Sequence, residues 1–350
     1  MLSVKAVSYS GDYCIALHFK NPLFLHGLTV PSEFQLIQQF FQREQAEQPA
    51  EGVLLGIGDD CALLQIPAGQ QLAVSVDTLV SGVHFPVDAD PELIAERALR
   101  TNLSDLAAMG ADPLWFTLAL TLPEATEEWL RSFSRGLFKC AHEFGIALVG
   151  GDTTSGPLSI TIQVMGAVEP KNTLRRDAAN IGDFVLVTNC VGDGAAALAA
   201  IQNAQVFADE HAEYLQQRFY RPVPRLYEAG LIRELASSAL DISDGLVADL
   251  QHICDASDLG AVIDVENLPL SPALTSLNND SQAYQWALSG GDDYELCFTV
   301  PPEKMADIAM LIAQGKLQAT VIGEMIAGNK VICEYEGKPF TLIKTGYQHF

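Results

Sequence analysis

Positive charge is scarce in this chain. Its 350 residues hold 20 lysines and arginines against 44 aspartates and glutamates, a formal charge of -24. No basic stripe is left to neutralise a nucleic-acid backbone, which argues against nucleic acid as a partner. Long apolar runs are missing too. No stretch approaches the roughly 20 residues of a membrane span, and residues 1–30 mix Lys5, Asp12, His18 and Lys20 into short apolar pieces, unlike a secretory leader. We therefore expect no membrane partner and read residues 1–30 as an appended tail. The seven cysteines (Cys14, Cys61, Cys140, Cys190, Cys254, Cys297, Cys333) are scattered, odd in number and free of any C-x-x-C pair. Neither a disulfide framework nor a zinc knuckle is suggested, and a reducing cytoplasm fits best. Also absent are a G-x-x-x-x-G-K-[ST] loop, an H-R-D-L-x-x-x-N loop, H-E-x-x-H and G-x-S-x-G, which removes P-loop, protein-kinase, zinc-protease and serine-hydrolase machinery.

What is present is apolar mass and aspartate. At 49% apolar and 18% charged composition, the chain can bury a large core and is expected to split into two domains. Apolar spacing predicts a helix over 32–43, with Ser32 as N-cap and Phe34, Leu36, Ile37, Phe40 and Phe41 recurring at helical spacing. Strands follow over 52–66 and 71–79, then one long helix or a helix pair over 91–109 and a buried strand over 114–122. A helix over 124–144 leads to strands over 147–149 and 158–168, which flank a loop from Gly150 to Thr154. A polar stretch over 169–182 with Lys171, Arg175 and Arg176 marks a domain boundary. Beyond it we expect a strand over 183–189, helices over 192–202, 208–220 and 224–237, a strand ending at Asp241, and a helix over 245–256 capped by Ser243 or Asp244. This is an α/β layout of mixed strand order, with domains at 31–168 and 169–350. An N/D-x-Ser-Asp turn opening a helix in each half, 102–105 and 241–244, hints at similar lobes.

Aspartate recurs in one setting, a short apolar run ending in glycine, serine or asparagine followed by one or two carboxylates. The instances are Gly58-Asp59-Asp60, Ser75-Val76-Asp77, Asn102-Leu103-Ser104-Asp105, Gly150-Gly151-Asp152, Asp241-Ile242-Ser243-Asp244 and Gly290-Gly291-Asp292-Asp293. Taken singly, each such aspartate is most often a helix cap or an Asx-turn. Caps do not explain the doubled Asp59-Asp60 and Asp292-Asp293, because adjacent like charges in a semi-buried turn repel unless a cation sits between them. Carboxylates on several loops suit hard cations around a polyphosphate, with magnesium taking one or two from the protein and the rest of its shell from water and phosphate. The pattern therefore points to magnesium-dependent phosphoryl transfer. Gly192-Asp193-Gly194 before a helix matches a dinucleotide loop only loosely. His84 after the Asp77 strand, Arg176 in the basic boundary stretch and Tyr347 near the C-terminus are candidates for substrate, phosphate and ring contacts. Each has an ordinary packing or surface role as its alternative.

At these residues the chain closely resembles the thiamine-monophosphate kinase family. The motifs GIGDDCA (56–62), NLSDLAAMGAD (102–112), GGDTT (150–154), DISDGL (241–246) and SGGDDYEL (289–296) fall in that family's order. The resemblance runs from about residue 32 to Phe350, and the closing Gly346-Tyr347-x-x-Phe350 belongs to it. It implies the two-domain fold of aminoimidazole ribonucleotide synthetase-like proteins, with a dimerising N-terminal α/β domain and a C-terminal α/β domain. It also implies phosphorylation of thiamine monophosphate by ATP. Carried over by position, Asp60, Ser75, Val76 (through its carbonyl), Asp77, Asp105, Asp152, Asp241 and Asp244 would hold several Mg2+ ions. Gly151, Asp152, Arg176 and Ser243 would meet ATP, and His84, Asp292 and Tyr347 would line the thiamine site. Three positions depart from the family. Val76 replaces a common threonine, Asp292 replaces the glutamate of GGEDY, and Asp177 stands where a small residue is common and is placed to pair with Arg176. An ATP-dependent synthetase of the same superfamily and a catalytically silent nucleotide-binding module are the alternative readings.

Overall fold

In a computed structural model of the chain, the structure describes residues 33–42, 50–277, 279–344 and 346–347. The expectations for the tail, for Ser32 and for Phe350 lie outside these residues. A short helix α1 (Glu33–Ile37) runs into a π-helical turn, and the 52–66 stretch forms two brief paired strands, β1 (Val53–Leu55) and β2 (Leu63–Leu64). The first large sheet contains β3 (Gln71–Val80), β4 (Asp112–Leu122), β5 (Ala147–Ser155) and β6 (Ser159–Val168), in the order β3-β6-β4-β5. Its β4–β5 pair is parallel and the others antiparallel. Gly150 to Thr154 therefore lies within a strand, because β4 pairs with it residue by residue after a register shift at Val149; the expected loop is not there.

Two helices cover one face of this sheet, α2 (Pro91–Ala108) and α3 (Glu127–Phe144). Asp90 starts α2 by accepting the Glu92 amide ahead of Pro91 at the first helical position, and Thr126 accepts the Trp129 amide to start α3. Once started, α2 continues without a break. Asn102 to Asp105 thus sit inside its last turns and open no helix, and the suggested similarity between the two halves falls away.

The second sheet has seven strands. These are β7 (Phe184–Thr188), β8 (Ser238–Asp241), β9 (Gly260–Asp264), β10 (Leu296–Val300), β11 (Ala319–Ile326), β12 (Val331–Tyr335) and β13 (Lys338–Pro339), in the order β13-β12-β9-β11-β7-β10-β8. Its helices are α4 (Asp193–Ile201), α5 (Asp209–Tyr220), α6 (Leu226–Ile232), α7 (Leu246–Ser257), α8 (Pro272–Thr275), α9 (Asp280–Ser289) and α10 (Met305–Ala313). One face of this sheet packs on α7 and α9 through Leu246, Leu250, Ile253 and Leu288. The other packs on α6 and α10, and on Ala107 and Ala108 of α2. One helix is thus shared by both cores. Among the described residues no helix is long and apolar enough to cross a membrane.

Strand register decides which way the first sheet's side chains point. Asp77, Ile162, Leu118 and Gly151 lie in one cross-strand row, and Thr78, Thr161, Ala119 and Asp152 in the next. Since neighbouring rows face opposite sides, Ser75 and Asp77 turn toward α2 while Val76 and Asp152 turn away. On that outer face Leu72, Val74 and Val76 are 47%, 49% and 58% exposed.

The tightest helix contact involves Gly136 of α3, where an added Cβ would lie 2.2 Å from the Glu92 carbonyl oxygen of α2. Gly136→Ala should separate the two helices at a cost of about 1–3 kcal/mol, read as a lower melting temperature with an unchanged far-UV spectrum.

Candidate active site

The site gathers where the last turns of α2 cross β3 and the end of β8. Ser75 Oγ donates to Asp105 Oδ2 at 2.5 Å, and the Asp77 amide donates to Asn102 Oδ1 at 3.0 Å. Asn102 is itself fixed by donating to the Ala98 carbonyl at 2.8 Å. Helix and strand are thereby locked so that Asp77 and Asp105 face the same space. Asp241 enters it from β8 and Asp244 from the turn that follows.

These carboxylates disturb one another. Asp77 keeps access to solvent, yet enclosure by surrounding protein, followed by Asp105 and Asp244, pushes its carboxyl up to about 6. Burial, then the charge of Asp105, pushes Asp241 up to about 7. Burial also raises Asp105, against the opposing pull of the Ser75 hydroxyl and the Arg176 guanidinium. A set of oxygen donors whose charges repel fits a hard divalent cation. Among the described residues no three carboxylate, imidazole or thiolate groups converge closely enough to hold an ion by themselves. Any cation held here would have to take part of its shell from water or phosphate.

The DISDGL turn is held from within its own helix. The Asp249 Oδ2 atom accepts the amides of Ser243, Asp244 and Gly245, each at 3.0 Å. Neither Ser243 nor Asp244 caps α7: its N-cap is Gly245, and Asp249 instead holds the three amides that lead into the helix. Burial, opposed by those amides, pushes the Asp249 carboxyl up to about 6. The only sequence signal for this residue was an acid in the first turn of the helix.

Two of the candidate substrate residues, Asp292 and Tyr347, close around the same turn. The Asp292 amide donates to the Ser243 carbonyl and the Tyr347 amide to the Asp244 carbonyl, both at 2.9 Å. The last segment is tied down by Gln285, whose amide donates to the Thr341 carbonyl at 2.8 Å and accepts the Ile343 amide at 2.9 Å. His84 Nδ1 accepts the Val80 amide at 2.9 Å, closing the turn after β3. Arg97 of α2 reaches Asp292 Oδ2 at 2.6 Å.

Several expectations change here. Asp292 and Asp293 need no cation between them, because they point apart. Asp293 is buried and accepts the Gly192 and Gly194 amides at 2.7 and 2.9 Å. This also explains the failed dinucleotide loop: an internal carboxylate occupies the anion position that a pyrophosphate would need. Asp177 pairs with Arg175 at 2.5 and 2.8 Å and leaves Arg176 to the field of Asp105. Asp59 folds back to accept the Asp60 amide at 2.8 Å.

Asp60, Gly151 and Asp152 are not brought to this cluster. They line a cavity of about 460 Å³ between the 56–62 loop and β5. β5 is the far edge of the sheet from β3, three strand spacings or roughly 14 Å away, and Asp152 faces the outer side. A second cavity, about 530 Å³, lies by Asp112, Arg233 and Asp307 and contains none of the candidate residues.

Comparison with known proteins places this arrangement. Residues 58–168 match the N-terminal domain of AIR synthase related proteins, and residues 180–336 match the C-terminal domain. The thiamine-monophosphate kinase of Escherichia coli (strain K12) is 50% identical over 320 residues, which is 91% of this chain and 98% of that protein. This chain belongs to the thiamine-monophosphate kinase family. The crystal structure of the Stenotrophomonas maltophilia K279a thiamine-monophosphate kinase is 44% identical with a TM-score of 0.79, over 87% of this chain and 96% of that one. AaThiL complexed with AMPPCP and TMP is 29% identical with a TM-score of 0.72, over 93% of this chain and 100% of that one. The two-domain AIR synthase-like fold of the kinase family is therefore the fold of this chain.

Asp249→Ala should free three amides in the DISDGL turn and lower kcat about tenfold or more, while Asp249→Asn, which keeps an acceptor oxygen, should lose less. Steady-state kinetics of the two variants check this.

Proposed function

We propose that this chain transfers the γ-phosphoryl group of ATP to the phosphate of thiamine monophosphate, giving thiamine diphosphate and ADP. The observation that carries the proposal is that Asp77, Asp105, Asp241 and Asp244, from separate elements, lie near enough for their charges to act on one another, with Ser75 and Arg176 opposing at Asp105. Its membership of the kinase family and its likeness to a structure complexed with AMPPCP and TMP support it, and they do not favour the synthetase alternative.

These four aspartates, with Ser75 and the Val76 carbonyl, would hold Mg2+. When bound, magnesium offsets phosphate charge and aligns the acceptor oxygen with the γ-phosphorus. No protein base is required, because a phosphate monoester is already largely deprotonated near neutral pH. Arg176, whose charge acts on Asp105, and Ser243, on the turn held by Asp249, would meet the ATP phosphates. His84, Asp292 and Tyr347 would line the thiamine side. With thiamine monophosphate, ATP and magnesium, the protein should form thiamine diphosphate. Asp105→Asn and Asp244→Asn should each lower kcat by about two orders of magnitude or more with an unchanged melting profile. No product at any magnesium concentration would sink the reading.

The working unit in this reading is a homodimer in a reducing cytoplasm. Leu72, Val74 and Val76 leave the outer face of the first sheet apolar and open, as a dimer face requires. All six described cysteines are thiols. In this reading the residues left apart within one protomer belong to one shared site, with Asp60, Gly151 and Asp152 of one protomer completing the aspartate cluster of its partner. Mixing inactive Asp152→Asn with inactive Asp105→Asn should then restore roughly a quarter of wild-type activity, since each mixed dimer keeps one intact site. No recovery after subunit exchange, with mixed dimers present by native mass spectrometry, would mean that each protomer's site stands alone.

A further inference from the structure

Both oxygens of the Asp292 carboxylate are already engaged by the protein. Arg97 Nη2 donates to Oδ2 at 2.6 Å, and the Tyr294 hydroxyl donates to Oδ1 at 2.9 Å. Arg97 has little freedom to move. Its Nη1 donates to the Phe219 carbonyl at 2.5 Å, its guanidinium carbon lies 4.0 Å from the centre of the Phe219 ring, and its side chain is 3% exposed. Asp292 keeps 26% of its side chain open. Each carboxylate oxygen offers two lone-pair sites and each has spent one.

The backbone beneath this carboxylate is held in a conformation it would not choose. Asp292 and Tyr294 have φ of 74° and 53°, a region where non-glycine residues persist only if their surroundings impose it. Here the surroundings do so. The amides of Asp292 and Tyr294 donate to the Ser243 and Ile242 carbonyls, and Arg218 Nη2 donates to the Asp293 carbonyl at 3.1 Å.

We propose that Arg97 and Tyr294 are positioning residues for substrate recognition, holding Asp292 so that its open lone pairs accept a hydrogen bond from an N–H donor of the substrate. The inference rests on the reading that Asp292 lines the thiamine site, and it changes what Asp292 does there. Paired with Arg97, the carboxylate is not a free counter-charge for the thiazolium ring. It is a directional acceptor suited to the amino group of an aminopyrimidine.

The test is the KM for thiamine monophosphate, the KM for ATP and kcat across four variants of the full chain. Asp292→Ala should raise the KM for thiamine monophosphate about tenfold with the KM for ATP unchanged. Tyr294→Phe, which keeps the ring, and Arg97→Lys should each raise it about threefold to tenfold with kcat nearly unchanged. In the double variant Asp292→Ala/Tyr294→Phe, the tyrosine change should add nothing. An analogue whose pyrimidine amino group is replaced by oxygen should be a poor substrate for the wild type, and Asp292→Ala should lose that discrimination. If Asp292→Ala leaves the KM for thiamine monophosphate unchanged, the underlying reading of Asp292 fails. If Asp292→Ala raises it but Tyr294→Phe does not, or if Tyr294→Phe acts equally in the Asp292→Ala background, the proposal is overturned while that reading stands. Should Arg97→Lys fail to fold, Tyr294→Phe decides alone.

Discussion

Glu96 of α2 is completely buried and still charged. Arg221 grips both its oxygens at 2.8 and 2.9 Å, Lys139 reaches it at 3.0 Å, and Arg100 stands 3.7 Å away. Burial works against that charge, and Arg221 and Lys139 overcome it, holding the carboxyl below its usual range. The adjacent Arg97 and, one turn along, Arg100 donate to the Phe219 and Pro222 carbonyls. A helix that would otherwise be an ordinary cover for the first sheet is thus bonded to the end of α5 and the segment after it by directional contacts. Removing one partner from such a pair typically costs about 3–5 kcal/mol. Apolar packing alone would let the helix slide; these bonds specify its register against the second half of the chain.

That register is what assembles the site. Asp105 on α2 meets Ser75 and Asp77 on β3, and from the other side Asp241 and Asp244, only if the helix sits at one height and one rotation. The same helix presents Arg97 to Asp292. The arrangement carries its own penalty, because Asp77, Asp105 and Asp241 are each held where their charged forms are disfavoured. Structural order elsewhere supports this local discomfort, and a bound cation with phosphate would relieve it. Asp249 and Asp293 each satisfy the free amides of a turn that would otherwise move.

Much of the fold could be read in advance, and the failures share one cause. The alternation of Leu72, Val74 and Val76 with Ser75 and Asp77 marks a two-sided strand, and Pro91 after Asp90 marks the start of a helix. Asn102 to Asp105 resembled a helix-opening turn because their types suit caps. Inside an established helix, however, Asn102 bonds back to Ala98 and forward to β3 instead. Gly150 to Thr154 resembled a loop because glycine weakens isolated strands, yet the ladder offered by β4 outweighs that preference. Local propensity is a weak term, and long-range pairing overrides it. Arg97, Asp249 and Gln285 went unnoticed for the same reason: nothing near them in the chain shows what they bond.

By itself, the sequence determined the chemistry: an acidic, oxygen-rich donor set in an order of motifs that resembles the kinase family's. Those are properties of residue type and spacing, which survive without coordinates. The tertiary structure decided which acids act together. Register sends Asp77 and Asp152 to opposite faces of one sheet, and helix height sets Asp105 against Ser75. The doubled Asp292-Asp293 separates into one carboxylate held by Arg97 and another sealed beneath Gly192 and Gly194. Charges interact through space, with a strength that depends on separation and on the surrounding medium. Neither quantity exists until the chain has folded.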